Sequence, residues 1–181
     1  HRVDRRQRQM CIRDRFTVEP GPRELAQGVD TLQLKMSAEQ GGVRVVRTYT
    51  LGRGSYAIDV KTEVTNVGAE TVRPTAYMQL TRDKKAPSSI AGIASTFVPI
   101  GTYGPVVYTD ALKFQKVDFG EIEKNTQDHA KSAKDGWIGM MQHYFVSAWV
   151  PKQGVERTIE TARIDGDLYT CLLYTSPSPR D

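Results

Sequence analysis

The chain has 181 residues, 39% hydrophobic and 25% charged, which is the balance of a globular domain large enough to bury a core. No apolar run approaches the roughly 20 residues that cross a bilayer as a helix, and residues 1–15 lack the apolar stretch of a signal peptide. The net charge of +4 comes entirely from residues 1–15, which hold six Arg and two Asp, so it gives no support to a nucleic-acid partner.

The two ends of the chain resemble translated DNA rather than natural protein. Arg5–Arg15 (RRQRQMCIRDR) back-translates into a string similar to a transposase-type sequencing adapter, and Cys171–Asp181 (CLLYTSPSPRD) into one similar to the opposite adapter. The matching codons for Met10–Asp14 and Cys171–Thr175 are reverse complements of each other, which two unrelated protein termini would not share. The alternative, a disordered basic arm and a Ser/Pro-rich tail, leaves this inverted repeat unexplained.

These observations predict three segments. Residues 1–15 and 171–181 are predicted to be artefactual and adapter-like, and residues 16–170 to be a natural fragment that is truncated at both ends. Both cysteines, Cys11 and Cys171, lie in the predicted artefactual ends. We therefore predict neither a disulfide nor a cysteine-based metal site, and the fold is predicted from residues 16–170 alone.

Alternation of apolar and polar residues in the first half of this fragment predicts an antiparallel meander. From Tyr56 to Val64 apolar and charged side chains alternate, which indicates a half-buried strand. Gly41–Gly42 and Gly52–Gly54 supply the turns between neighbouring strands. The predicted strands are residues 31–37, 43–51, 56–64 and 72–81.

The second half of the fragment has shorter predicted strands and longer loops. Gly101–Pro105 is predicted as a turn, and residues 121–135, which are polar and Lys-rich, as a loop with one helical turn. Residues 137–150 are apolar, aromatic and β-branched up to Pro151, which favours one buried strand. Other strands are predicted at 106–109, 114–119, 157–164 and 167–170, and loops at 87–89 and 92–95. The whole pattern predicts an all-β, antiparallel sandwich.

Two histidines within the fragment are the first candidates for chemistry. His143 stands among apolar and aromatic residues, where a general base is conceivable, but a core or edge histidine satisfied by a backbone carbonyl is the favoured interpretation. His129, beside Asp128 and Lys131, is predicted to be solvated. Neither histidine is therefore predicted to be catalytic.

The remaining candidates are also interpreted as structural. The glycines of GRGSY (Gly52–Tyr56) precede a strand rather than a helix, which predicts a hairpin and not a phosphate loop. Glu121 and Glu123 are predicted to be exposed, and Arg82–Lys85 to form a solvated loop tip. Aromatic residues on strands are more often core than cleft. Those that could line a sugar or peptide cleft are Trp137, Tyr144, Phe145 and Trp149. We predict no catalytic, cofactor-binding or metal-binding residue.

Five segments carry a family resemblance that extends over roughly residues 41–169. They are RTYTLGRGSYAIDV (Arg47–Val60), PTAYMQLTRD (Pro74–Asp83), YGPVVYTD (Tyr103–Asp110), KFQKVDF (Lys113–Phe119) and DGWIGMMQHYFVSAWVP (Asp135–Pro151). The last is the most specific, with a Gly-Trp start, a Gln-His-Tyr-Phe centre and a Trp-x-Pro end. In this order the segments resemble the periplasmic domain of YidC-type membrane protein insertases.

The resemblance implies a fold, a location and partners. The implied fold is a β-supersandwich similar to galactose-mutarotase-like and carbohydrate-binding proteins. The implied location is the periplasmic face of the bacterial inner membrane, between the first two transmembrane helices of a parent insertase that inserts and folds membrane proteins. The implied partners are the Sec translocon and the SecDF accessory complex, with client proteins handled by the transmembrane part. The family implies no enzyme activity, cofactor or nucleic acid for this domain.

Two other functions stay open. A mutarotase-like or carbohydrate-binding protein on the same fold would need a histidine and a carboxylate facing one sugar ring. A chaperone surface that binds peptides would need an open apolar groove. Because part of a sandwich leaves unpaired strand edges and an uncovered apolar face, we also predict that the isolated chain is aggregation-prone or only partly folded.

Overall fold

The computed structural model describes residues 16–85, 103–142 and 145–175. The chain divides into two units, unit 1 (His1–Arg73) and unit 2 (Pro74–Asp181). Regular structure in both is almost entirely antiparallel β-sheet, which confirms the predicted all-β class. The closer likeness to galactose-mutarotase-like proteins stays a prediction.

Unit 1 is a four-stranded meander. The β2–β3 turn is made by Gly41 and Gly42, as predicted, and both glycines have positive φ angles of 59° and 75°. Neighbouring strands are antiparallel throughout, in the order β1-β2-β3-β4. The strands are β1 (Thr17–Val18), β2 (Thr31–Gln40), β3 (Val43–Gly52) and β4 (Ile58–Asn66).

The register of unit 1 separates an apolar from a polar face. Leu34, Tyr49 and Val60 lie side by side on β2, β3 and β4, and the next row on the opposite face holds Lys35 and Lys61. Strand β4 is confirmed, but its predicted half-burial is wrong for most of its length. The side chain of Ile58 is 52% exposed and that of Val64 is 47% exposed. The reason is that β4 is an outer strand of its sheet, with a neighbouring strand on one side only among the residues that the structure describes.

Unit 2 contains two further four-stranded sheets, with strand orders β10-β9-β6-β7 and β5-β12-β11-β8. Their elements are β5 (Tyr77–Asp83), β6 (Tyr103–Thr109), β7 (Lys113–Lys116), α1 (Phe119–Lys124), β8 (Ser132–Ala133), β9 (Trp137–Gln142), β10 (Phe145–Trp149), β11 (Arg157–Asp165) and β12 (Leu168–Tyr174). The strand pairs within both sheets are antiparallel. Two stacked sheets make unit 2 a β-sandwich.

A single apolar cluster fills the core of unit 2. It is built from β6, β9, β11, β12 and α1, and the rings of Phe119 and Tyr169 meet with centroids 4.5 Å apart. The fully or nearly fully buried members are Val107, Val117, Phe119, Ile122, Ile138, Ile159, Tyr169, Cys171 and Leu173. Both sheets and the helix therefore depend on the same packing.

Two glycines, Gly136 just before β9 and Gly139 within it, allow β9 to pack closely against β6. Gly136 has a φ angle of 85°, and a Cβ atom there would overlap the carbonyl oxygen of Tyr108. A Cβ atom at Gly139 would lie 2.9 Å from Cγ2 of Val106 on the neighbouring strand β6. A side chain at either position would push β9 away from β6.

A capping box stabilises the N-terminus of helix α1. Asp118 accepts a hydrogen bond from the Gly120 N–H at 2.7 Å, and Glu121 accepts one from the Asp118 N–H at 3.1 Å. Asn125 ends the helix in the left-handed conformation, with φ of 54°. The predicted loop with one helical turn is thus confirmed in type, but the helix starts at Phe119, which had been assigned to the preceding strand.

Three other local predictions are wrong. Residues 137–150 form the hairpin β9–β10 instead of one strand, because Trp149 turns back to pair with Ile138. The predicted turn at 101–105 is wrong from Tyr103 onward, where β6 begins. The strand predicted at 72–81 begins only at Tyr77. The loops predicted at 87–89 and 92–95 lie outside the described residues.

The predicted artefactual ends are only partly described. Residues 1–15 and 176–181 lie outside the described residues. Cys171–Tyr174 extends β12, paired with β5 on one side and β11 on the other. A continuous apolar run suits a central strand whatever its origin, so the origin of these residues stays a prediction.

Candidate functional site

His129 is buried in unit 2 and both of its ring nitrogens have partners. The side chain is 3% exposed, Nδ1 lies 2.8 Å from the Ala130 carbonyl oxygen, and Nε2 lies 2.9 Å from Oγ1 of Thr161. Because a carbonyl can only accept, Nδ1 carries the proton and Nε2 accepts from the Thr161 hydroxyl. The prediction that His129 is solvated is therefore wrong.

The surroundings of His129 favour the neutral imidazole. Burial lowers the pKa of His129, and the positive charge of Lys131 adds to this, whereas the Ala130 carbonyl and Asp128 raise it. Its hydrogen bonds go to a carbonyl and a hydroxyl, not to a carboxylate. The hydrogen bond to Thr161 links the segment before β8 to strand β11. Because the imidazole is buried and both of its nitrogens are hydrogen-bonded, it cannot contact a sugar ring.

The other histidine candidate lies outside the described residues, together with Tyr144. The interpretation of His143 as a core or edge histidine consequently stays a prediction.

The less favoured interpretation of the aromatic residues, a ligand cleft, is not supported by the two tryptophans. Trp149 lies opposite Ile138 in the hairpin, so it shares a face with Ile138, and Trp137 occupies the other face. Trp137 stacks on Tyr108 with ring centroids 5.9 Å apart, while the Trp149 indole donates to the Gln79 carbonyl at 3.2 Å. The two indoles therefore face different surroundings and cannot sandwich one ligand.

A polar cluster in unit 2 was not predicted from the sequence. The hydroxyl of the fully buried Tyr169 donates to the Glu123 carboxylate, which also accepts from Lys84 Nζ at 3.0 Å. The Tyr169 hydrogen bond, followed by that of Lys84, lowers the pKa of Glu123, and burial followed by the Glu123 carboxylate raises the pKa of Tyr169. The cluster joins α1, β12 and the end of β5.

The prediction that Arg82–Lys85 form a solvated loop tip is wrong for Arg82 and Lys84. Arg82 belongs to β5 and its guanidinium carbon lies 5.4 Å from the Tyr103 ring centroid, while Lys84 is engaged with Glu123. Neither side chain is part of a freely solvated loop tip. Glu123 is exposed as predicted, but it also has two partners, which a sequence pattern could not reveal because they lie far along the chain.

The remaining candidate features carry no recognisable chemistry. The GRGSY segment forms the predicted hairpin turn, with Gly54 at a φ of 69°. Burial raises the pKa of the Cys171 thiol to about 12, so the reactive thiolate does not form at neutral pH. Within the described residues, no group of three or more His, Cys, Asp or Glu side chains is placed to hold a metal ion.

One shallow groove in unit 1 has the size of a small-molecule site but not its chemistry. Its volume is about 270 Å³ and its lining comes from residues 19–23 together with Gln33 and Lys35 of β2. Glu19 supplies a carboxylate, but no histidine or aromatic ring lines the groove. It therefore lacks the acid–base pair and the stacking surface that a sugar enzyme requires.

Comparison with known proteins assigns the chain to a family. The family model described as the YidC periplasmic domain matches residues 3–179, which is nearly the whole chain. The chain belongs to the YidC periplasmic domain family. This confirms the resemblance that the five sequence segments carried.

Curated relatives of this YidC periplasmic domain are named membrane protein insertase YidC. The relative from Paraburkholderia phymatum is 50% identical over 141 residues, which are 77% of this chain and 24% of the relative. The relative from Burkholderia thailandensis is 47% identical over 157 residues, 86% of this chain and 27% of the relative. The relative from Burkholderia vietnamiensis is 47% identical over 153 residues, which are 84% of this chain and 26% of the relative. The chain spans about a quarter of the length of these relatives.

The segment with the most specific YidC resemblance contributes an internal, largely buried strand and an exposed outer strand to one sheet of unit 2. Asp135–Pro151 contains β9 and β10, and β10 is the outer strand of its sheet. Phe145 is 76% exposed and Val150, just beyond the strand, is 69% exposed. Large apolar side chains on a strand edge are suited to contacts with another polypeptide. No helix in the described part of this YidC domain combines the length and apolar content of a membrane span.

Proposed function

We propose that the chain is part of the periplasmic domain of a membrane protein insertase and acts there as a non-catalytic contact and scaffolding module. The observation that carries the proposal is the family match over residues 3–179, with relatives named membrane protein insertase YidC. On this proposal the parent is a multi-pass protein of the inner membrane of a Gram-negative bacterium. Its transmembrane part inserts client proteins, and the periplasmic domain contacts the Sec translocon and SecDF.

The chemistry of unit 2 supports a contact role over an enzymatic one. His129 has no carboxylate partner, and its two nitrogens are occupied by Ala130 and Thr161. The edge strand β10, in contrast, offers exposed apolar side chains at Phe145 and Val146. A contact module needs such an accessible surface and does not need an acid–base pair.

The experiment is co-purification of the Sec translocon and SecDF with a full-length insertase that carries this periplasmic sequence. Replacing Phe145 and Val146 by Ser is expected to lower the recovery of SecDF, because it removes the apolar edge without touching the core. The matched control is Leu112→Ser, which changes an equally accessible residue of the β6–β7 turn, 53% exposed. Equal recovery from all three proteins would contradict the proposed contact surface.

A second measurement separates this function from a sugar enzyme. We expect the chain to leave the rate of glucose mutarotation, followed by polarimetry, at its buffer value. An acceleration that is lost in the His143→Gln variant and retained in the Leu112→Ser variant would overturn the non-catalytic assignment. This assay depends on His143, because His129 is closed off by its hydrogen bonds.

We further propose that residues 1–15 and 171–181 are encoded by adapter-derived DNA. The inverted repeat between the codons for Met10–Asp14 and Cys171–Thr175 supports this origin. Genomic DNA should be sequenced across both junctions. We expect that the codons before residue 16 and after residue 170 encode amino acids other than those of the present ends. A genomic frame that encodes CLLYTSPSPRD would disprove it.

A further inference from the structure

The sequence contains two Asp-Gly dipeptides, Asp135–Gly136 and Asp165–Gly166. In such a pair the backbone nitrogen of the glycine can attack Cγ of the aspartate, because the glycine carries no side chain that would hinder the approach. The five-membered succinimide that results hydrolyses either back to aspartate or to isoaspartate. Which of the two pairs reacts depends on how freely its carboxyl group and its glycine backbone can reach the geometry of attack in the folded chain.

The second pair lies at the tip of the β11–β12 hairpin. Asp165 pairs with Leu168 across the hairpin, and Gly166 and Asp167 form its two-residue turn. Asp165 and both turn residues are exposed, and a Cβ atom at Gly166 would meet no heavy atom within 4 Å. Within the described residues the Asp165 carboxylate makes no hydrogen bond and no ion pair. The carboxyl group is therefore free to rotate towards the Gly166 nitrogen.

The first pair is held by contacts on both of its residues. The Asp135 carboxylate accepts a hydrogen bond from the Asp110 N–H at 2.5 Å. Gly136 is buried and its carbonyl oxygen accepts from Gln153 Nε2 at 3.2 Å, while a Cβ atom there would overlap the Tyr108 carbonyl oxygen. Attack on Cγ of Asp135 would require its carboxyl group to leave Asp110 and the packed backbone of Gly136 to move. The chain thus holds the same dipeptide in one accessible and one restrained environment.

We propose that Asp165 is a site of spontaneous isomerisation to isoaspartate, and that its contacts protect Asp135 from the same reaction. The Gly166 nitrogen forms a bond to Cγ of Asp165, and the carboxyl hydroxyl leaves as water with the amide proton. One water then opens the succinimide. Cleavage of the original peptide bond gives isoaspartate, whereas cleavage of the new bond between nitrogen and Cγ restores aspartate. One water is released and one is consumed, so the product has the mass of the parent and the reaction needs no oxidant.

Isoaspartate lengthens the main chain of the hairpin by one carbon atom. The chain then runs through Cβ and Cγ, and the free carboxylate is attached to Cα. Because a two-residue turn fixes the register of its hairpin, the added atom displaces the Asp165–Leu168 pair. It also displaces the Asp167 carbonyl, which accepts a 3.0 Å hydrogen bond from the Lys84 N–H at the end of β5. We therefore expect the turn ends of β11 and β12 to open after the reaction.

The experiment incubates the full 181-residue chain at mildly acidic pH, where a larger share of the carboxyl groups is protonated and can lose water. Tryptophan emission verifies that unit 2 is folded in each sample. Peptides that contain residue 135 or residue 165 are then separated by chromatography, and electron-transfer fragmentation distinguishes isoaspartate from aspartate of equal mass. Isoaspartate is expected to accumulate at least about tenfold faster at Asp165 than at Asp135, because only Asp135 must first break native contacts.

Two controls separate the effect of the fold from the chemistry of the dipeptide. In guanidinium chloride both pairs lose their native environment, and the two rates are expected to become equal. Asp165→Glu keeps an exposed carboxylate but would require a six-membered ring, so residue 165 is expected to stay unmodified while Asp135 behaves as in the parent. Equal rates at both sites in the folded chain would overturn the proposal. An Asp165 that reacts only in guanidinium chloride would overturn it as well.

Hydrogen exchange of the chromatographically separated isoaspartate form tests the consequence for the hairpin. Peptides covering residues 162–168 are expected to exchange faster than in the unmodified chain, because their ladder hydrogen bonds open. Peptides covering β9 (Trp137–Gln142), in the other sheet of unit 2, are expected to exchange at the parent rate. Unchanged exchange at residues 162–168 would contradict the proposed shift of register.

Discussion

Unit 1 and unit 2 are both built from antiparallel strands, yet they bury them to very different extents. Unit 1 is a single sheet whose edge strand leaves Ile58 half exposed, whereas Ile138 in unit 2 is fully buried between two sheets and a helix. The alternating pattern alone therefore defines a strand and its two faces. Burial requires a second layer, which unit 2 supplies from its own residues.

The chain provides separate probes for the two units. Both tryptophans of the sequence, Trp137 and Trp149, lie in unit 2, so tryptophan fluorescence follows the unfolding of that unit. Hydrogen exchange of peptides from residues 31–66 follows the sheet of unit 1. The two signals allow each substitution below to be assigned to one unit.

The largest difference between the units is expected at glycines with positive φ. Gly136→Ala should destabilise unit 2 by more than about 4 kcal/mol, because the new Cβ atom overlaps the Tyr108 carbonyl in addition to straining the backbone. Gly54→Ala in unit 1 has the strain without the overlap and should cost about 1 kcal/mol. Urea unfolding measures both, and equal losses would show that close packing does not distinguish the units.

The next largest effect is expected from matched isoleucines. Ile138→Ala should lower the free energy of unfolding of unit 2 by about 3 kcal/mol, because it leaves a cavity in a filled core. Ile58→Ala on the open strand β4 should change that of unit 1 by no more than about 0.5 kcal/mol. A large loss from Ile58→Ala would mean that the apolar face of β4 is covered in solution.

A third difference concerns the pH dependence of stability. Unit 2 contains His129, whereas residues 16–73 of unit 1 contain no histidine. Burial lowers the pKa of His129, so below about pH 6.5 the unfolded chain takes up a proton that the folded unit 2 does not. The stability of unit 2 should then fall by up to about 1.4 kcal/mol per pH unit until the folded-state pKa is passed. Urea unfolding at several pH values should show a shallower slope for His129→Gln, while His143→Gln serves as the control. Identical slopes for the parent and His129→Gln would contradict the structural assignment.

The smallest effects are expected in the cluster of Lys84, Glu123 and Tyr169. Tyr169→Phe removes a hydrogen bond at the edge of the core and should destabilise unit 2 by about 1 kcal/mol. Lys84→Ala removes only an accessible ion pair and should leave the unfolding midpoint unchanged. Tryptophan fluorescence resolves the two, and a larger loss from Lys84→Ala than from Tyr169→Phe would reverse this assignment.

Turns and helix ends, which depend on residues close together in the chain, were the features best predicted from the sequence. The β2–β3 turn was predictable from Gly41–Gly42, and the capping box of Asp118 and Glu121 could have located α1 to within a residue. The β9–β10 hairpin was missed because Gln142–Phe145 contains no Gly, Pro, Asn or Asp to indicate a turn. Its apolar residues satisfy the pattern of one long strand equally well.

Side-chain environments were less predictable than strands, because they depend on residues far apart in sequence. His129 lies close in sequence to Asp128 and Lys131, yet it is buried and bonded to Thr161, 32 residues further on. Glu123 meets Tyr169 only because β12 returns beside β5 and brings its hydroxyl to α1. No local pattern contains this information, whereas the family resemblance, which compares whole segments, was recovered.

The contact between Gly139 and Val106 limits how this domain can change over evolutionary time. A Cβ atom at position 139 would lie 2.9 Å from Val106 Cγ2 and 3.2 Å from both the Ser147 carbonyl oxygen and the Trp137 ring. An alanine at position 139 is therefore accessible only after, or together with, a smaller residue at position 106. Positions 106 and 139 should accordingly covary among descendants of this sequence, with the change at position 106 preceding or accompanying the change at position 139.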